Sequence, residues 1–170
     1  MIGWLILSLS VQACQWFEDP PYTATGLLND EYWEINGGPF YRSTSVNDDT
    51  VNLQFGHLVN IKKNIPDYTL DFSGIPMAAS EDTVRLSWAM TFDYGRIPSA
   101  NQWFYDQEYG VTRAFYALDE SKDNWIWFRL EANGDMVGSF EITLQKSTAL
   151  NELPKVLEYR HVEFTATGPM

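Results

Sequence analysis

Only one cysteine and two histidines occur in these 170 residues. A single thiol excludes an intramolecular disulfide framework and any metal site built from several cysteines. His57 and His161 lie far apart, each without a companion at metal-ligand spacing, so zinc lacks ligands. Positive charge is scarce as well: 11 Lys and Arg against 23 Asp and Glu leave a formal charge of −12. Nucleic acid is therefore not an expected partner, because its phosphates would be repelled. Such a charge ordinarily serves solubility. The chain also lacks a G-x-S-x-G nucleophile motif, a Walker or Rossmann glycine pattern and EF-hand spacing. No cofactor is expected, and no residue is assigned a catalytic or metal-binding role. Nowhere does a convincing helical period run long enough for a globular helix.

What the chain has in quantity is aromatic residues, 15% of the total with seven Trp, a composition that favours β structure. The clearest plan is written in Asn124 to Gln145, which reads as two strands joined at Ala132-Asn133-Gly134. A two-residue Asn-Gly turn would oppose Trp127 to Phe140. A three-residue loop, with Gly134 left-handed and a bulge, opposes Leu130 to Met136, Phe128 to Gly138 and Ile126 to Phe140. A slip of one residue exchanges the faces of one strand against the other. Only the second register puts Ile126, Phe128, Leu130, Met136, Phe140, Ile142 and Leu144 on one side. Trp125, Trp127, Arg129, Val137, Ser139, Glu141, Thr143 and Gln145 then share the opposite side.

Further strands follow from the same logic. Thr23 to Asn36 reads as a hairpin turning at Asn29-Asp30, and Phe40 to Ser45 as a short strand. Val51 to Ile61 and Tyr68 to Phe72 are strands, with Gly74-Ile75-Pro76 opening a loop. Thr83 to Tyr94 carries the longest strict alternation and reads as a central strand. Gly95 to Gln102 reads as a loop, Trp103 to Tyr109 and Val111 to Leu118 as strands, and Lys146 to Leu153 as a polar connection. Val156 to Ala166 is the last strand, with a bulge expected near Arg160 because the apolar phase changes there. About nine or ten short strands separated by turn signals predict an all-β fold, an antiparallel β-sandwich or flattened barrel with little helix.

The N-terminus carries a different signal. Residues 1–13 are apolar or small and uncharged, and Cys14 follows at once. They are shorter than the about 20 residues that span a bilayer as a helix, and suit the apolar region of an export signal. Val11-Gln12-Ala13-Cys14 resembles the lipobox of bacterial lipoprotein precursors. From Tyr22 onward the chain resembles small surface lipoproteins of Bacteroidetes-type bacteria. Ala24 to Trp33 is similar to their x-A-x-x-N-G-x-x-W hairpin, Gly138-Ser139-Phe140 to their G-x-F strand, and Phe164-Thr165-Ala166 to their closing strand. The resemblance implies removal of residues 1–13, lipidation of Cys14, a tether over residues 14–22 and a single β-sandwich domain over residues 23–170. It implies anchoring to the membrane through the N-terminal lipid, in the cell envelope at the outer membrane or cell surface, and supplies no catalytic residues.

Three functional classes remain open: a binding module for a glycan or protein partner, a structural or accessory subunit of an envelope assembly, and a glycoside hydrolase. Hydrolysis would need two carboxylates about 5 to 10 Å apart across a cleft; Asp106 and Glu108 are the pair to test. Asp119, Glu120 and Asp123 could attract calcium, but such turns are usually solvated. The binding reading rests on Trp125 and Trp127. Two residues apart on one strand, they leave the same face about 7 Å from each other, with Arg129 next in the row and Glu141 and Ser139 opposite. Flat indoles flanked by charged and hydroxyl groups suit a sugar ring. Against that stands simple packing of both rings under a loop or a second sheet. The expected binding residues are Trp125, Trp127, Arg129 and Glu141.

Overall fold

The computed structural model describes residues 23–36, 40–43, 49–57, 68–87, 97–105, 112–147 and 152–167. The expected leader with Cys14, the part of the Thr83–Tyr94 row beyond Ser87, the Asp106–Glu108 pair and the His57 side chain lie outside that description. Eleven strands form one sheet, and every pairing in it is antiparallel. In chain order they are β1 (Thr23–Leu28), β2 (Glu31–Asn36), β3 (Phe40–Ser43), β4 (Thr50–His57), β5 (Tyr68–Pro76) and β6 (Thr83–Arg85). Then come β7 (Ser99–Tyr105), β8 (Thr112–Leu118), β9 (Trp125–Leu130), β10 (Met136–Lys146) and β11 (Val156–Ala166). Among the described residues the helical content is one 3-10 turn, Met77–Ala79, and no helix is long and apolar enough to cross a membrane.

The strands run β2-β1-β11-β10-β8-β7-β5-β4-β3, with β9 and β6 branching from β10. β10 makes that branch possible because it is long. One edge pairs with β11 from Met136↔Ala166 to Gln145↔Val156. Its other edge is divided: Met136 to Glu141 pair with β9, and Leu144 to Lys146 pair with β8. From this fork the sheet folds over so that β4 and β5 face β10 and β11. Phe55 and Phe72 meet Phe140 at ring separations of 5.5 and 4.8 Å, and Phe55 meets Phe164 edge-on at 5.4 Å. The sheet does not close; β2 and β3 are its two ends, although three residues connect them and β2 approaches β4. Across the interior the Trp33 indole donates to the Tyr68 hydroxyl at 2.8 Å, and Tyr159 donates to Gln102 at 2.9 Å. Full burial raises the Tyr159 pKa well above its ordinary value, with further contributions from Tyr68 and Tyr116, so this hydroxyl stays a donor.

The β9–β10 hairpin has the three-residue loop. Leu130 opposes Met136 and Phe128 opposes Gly138; the Gly134 amide donates to the Glu131 carbonyl, and Gly134 has φ +89°. The β1–β2 hairpin turns at Asn29-Asp30, both left-handed. The bulge in β11 falls where the apolar phase slips. Arg160 and His161 together oppose Glu141, and the chain returns to register at Val162. The same kink is matched on β1 by Gly26, where a Cβ would lie 2.8 Å from the Val162 backbone.

Three expectations change. β5 does not stop before Gly74 but runs to Pro76, because Ser73 and Gly74 form a bulge opposite Asn52, with Gly74 at φ +66°. β7 begins at Ser99, inside the expected loop. Its inward residues there are Ala100 and Gln102, fully buried but not large and apolar, and the Gln102 amide oxygen is satisfied by Tyr159. β6, expected as a long central strand, ends at Arg85 within the described residues, and the row beyond Ser87 lies outside them. Among the described residues its only partner is β9, whose first residue Trp125 already opposes Arg85, and the ladder ends there. Beyond it the Leu86 and Ser87 amides donate to the carbonyls of Asn124 and Pro98.

Candidate functional site

Period-two alternation on β9 sends Ile126 and Phe128 fully into the core and Trp125, Trp127 and Arg129 to the outside. The start of that strand is fixed by Asn124, which is buried. Its amide oxygen accepts from the Thr143 N–H at 2.8 Å, and its NH2 donates to the carbonyls of Asp119 at 2.8 Å and Lys122 at 3.3 Å. Trp125 is thereby held beside β10. Both indoles are half-buried, and neither has a ring contact or hydrogen bond among the described residues.

Cross-strand register arranges the outer face in rows. One row runs Arg85, Trp125, Glu141 and the bulge at His161. The next runs Thr83, Trp127, Ser139, Glu163, Thr25 and Glu34. A third places Arg129 beside Val137 and Val137 beside Thr165. The second and third rows form a shallow open groove of about 400 Å³ lined by Thr23, Thr25, Trp127, Arg129, Val137, Gly138, Ser139, Glu163, Phe164 and Thr165. Its floor is thin at Gly138: a Cβ there would lie 2.3 Å from the Trp127 carbonyl and 2.6 Å from the Phe164 ring. The bare glycine lets β9 sit close enough to β10 for Trp127 to edge the groove.

Of the four expected binding residues, Trp127 and Arg129 line this groove, whereas Trp125 and Glu141 form the adjoining row. The Glu141 carboxylate is occupied at the bulge, accepting from the His161 N–H at 3.2 Å and lying 2.9 Å from His161 Nδ1. Arg129 is occupied too: Nε and an Nη donate to Glu131 Oε1 at 3.0 and 2.5 Å. That hydrogen bond, then the charge of Glu131, with a smaller contribution from Glu81, raises the Arg129 pKa. Arg85, beside Trp125, pairs with Asp123. Glu163 is different. Exposed in mid-groove, its carboxylate has no hydrogen-bond or ion-pair partner among the described residues, and neither do the hydroxyls of Thr23, Thr25, Ser139 and Thr165.

Thr23, Thr25, Glu163 and Thr165 are groove residues that sequence reading missed. Alternation alone put them on one face of β1 or β11, but only the strand order brings those faces beside β9. Tyr32 was missed as well. It is 70% exposed on β2, and its hydroxyl donates to Glu34 at 2.6 Å, which raises its pKa. Among the described residues no group of three or more His, Cys, Asp or Glu could hold a metal ion. No family model, curated protein or solved structure matches this chain.

Proposed function

We propose that this chain is a binding module of the bacterial cell envelope, anchored through a lipid on Cys14, that takes a glycan on its outer sheet face. The observation that carries the reading is the groove beside Trp127. An indole that is partly exposed and unstacked stands next to a carboxylate and several hydroxyls that have no partner among the described residues. A sugar ring can lay its C–H face on the indole while its hydroxyls bond to Glu163, Ser139 and the threonines. Hydrolysis has less support, since it needs two carboxylates across a cleft and among the described residues the groove lining supplies only Glu163. The anchor is supported by Val11-Gln12-Ala13-Cys14 after an uncharged apolar run, because several acyl chains hold a membrane stably where one does not.

A glycan array probed with the full chain tests the binding. Signal on at least one oligosaccharide, lost in Trp127→Ala while the fold is kept, supports the reading; an array with no signal overturns it. For the anchor, the protein expressed in a bacterium should fractionate with membranes. Cys14→Ser should release it or leave it unprocessed; an unchanged mass and fractionation would mean that Cys14 carries no lipid.

A further inference from the structure

The charge arrangement of the same groove points to a narrower ligand class. We infer that the groove takes an uncharged oligosaccharide laid across the strands and rejects chains bearing carboxylates, with Glu163 as the selecting residue. The inference rests on the glycan reading above and adds a sign and a direction to it.

Among the described residues Arg129 is the one cation in the groove lining, and its charge is already matched by a carboxylate. Two of its nitrogens hold Glu131, and Glu81 lies near enough to act on it. An incoming carboxylate would meet a guanidinium whose charge Glu131 already balances. Glu163, by contrast, is exposed, unpaired and central, with Ser139 opposite it on β10 and Thr25 opposite it on β1. With Arg129 balanced by Glu131 just outside the lining, the charge left uncompensated in the groove is the Glu163 carboxylate. An ionised carboxylate accepts hydrogen bonds and cannot donate them, so it welcomes sugar hydroxyls and repels uronates and sialates. The direction follows from the row Trp127, Ser139, Glu163, Thr25, which crosses four strands. With strands ~4.8 Å apart that row is about 14 Å long, the reach of about three sugar rings.

The test compares neutral oligosaccharides with the same backbones carrying uronate or sialate, on one array and then by titration at low salt. Wild type should favour the neutral chain by about five- to tenfold, the scale of one like charge near a protein surface, and less in high salt. The readout is the ratio of the two affinities. Glu163→Gln should bring that ratio toward one, and Glu163→Lys should invert it. Glu131→Gln, which frees Arg129, should also move the ratio toward acidic chains without touching Glu163. Wild type that binds acidic chains equally well or better, or a ratio that none of these variants moves, overturns the inference while leaving glycan binding intact. An array on which nothing binds removes the glycan reading and this inference with it.

Discussion

The two sides of β9, β10 and β11 treat aromatic rings in opposite ways. Inward, Phe140 touches Phe72, Phe55, Tyr159 and Phe164 at centroid distances of 4.8 to 6.2 Å, and no part of it meets solvent. Outward, Trp125 and Trp127 are larger rings on a neighbouring strand, yet they stay partly exposed and meet no other ring among the described residues. Ring size does not explain the difference, because the indoles have more apolar area to bury. Coverage does. The inner face has a second layer, β4 and β5, folded over it, while among the described residues no ring packs on the outer face at Trp127. An aromatic ring left partly wet on an otherwise polar face has apolar area still to bury, which a ligand can provide.

Substitutions can break that contrast, and the largest effect belongs to the core. Phe140→Ala should cost about 3–5 kcal/mol, the scale for emptying a fully packed aromatic site. Urea denaturation measures it, and a loss below about 1 kcal/mol would mean that the aromatic cluster is not what joins the layers. Gly138→Ala comes next, at about 1–3 kcal/mol, because the new methyl meets a backbone carbonyl and a packed ring. It should also move β9 away from β10 and change the Trp fluorescence; a variant with wild-type stability and spectrum would contradict the close approach.

At the β9–β10 turn Gly134 has open space around it, so only its backbone matters. Gly134→Val should cost about 1–2 kcal/mol, the penalty for a Cβ in the left-handed region, and Gly134→Asn less. Equal tolerance of the two would refute the bulged loop. Trp127→Ala should cost only about 1 kcal/mol, because part of the ring is already wet. A loss equal to that of Phe140→Ala would make Trp127 a core residue and erase the contrast.

The smallest effect is expected in the β8–β9 loop. Asp119 accepts from the Ser121 hydroxyl at 2.6 Å, Gln145 at 2.7 Å and the Ser121 N–H at 3.0 Å. These bonds, the Ser121 hydroxyl first, hold its pKa below the ordinary 3.8. A lowered folded pKa contributes stability above the unfolded value and loses it as pH falls through the folded one. Asp119→Asn should therefore flatten a small acid-side loss of stability starting near pH 3.8. An identical acid profile for both proteins would show that these bonds do not favour the charged form.

Local pattern alone determined much of this protein. In the β9–β10 hairpin, two apolar rows can share a face in only one register, so the loop, the left-handed Gly134 and the outward position of both tryptophans were all readable. The bulge at Arg160 and His161 was readable for a related reason: Tyr159 and Val162 both have to face inward and stand an odd number of residues apart. Tertiary structure decided what a strand's own period cannot hold, which is its neighbours. The alternating row from Thr83 looked like one unbroken strand, yet within the described residues its ladder stops at Arg85, because β9 begins at Trp125 and offers no strand residue before it. Ser99 to Gln102 looked like a loop and became a strand, because it pairs with β5 and β8 and the Tyr159 hydroxyl bonds the oxygen of its buried amide. Thr25 and Glu163 reach Trp127's groove only through the order β1-β11-β10-β9. That order is a long-range choice made by the packing of Phe55 and Phe72 against Phe140 and Phe164, between segments remote in sequence, and no local spacing records it.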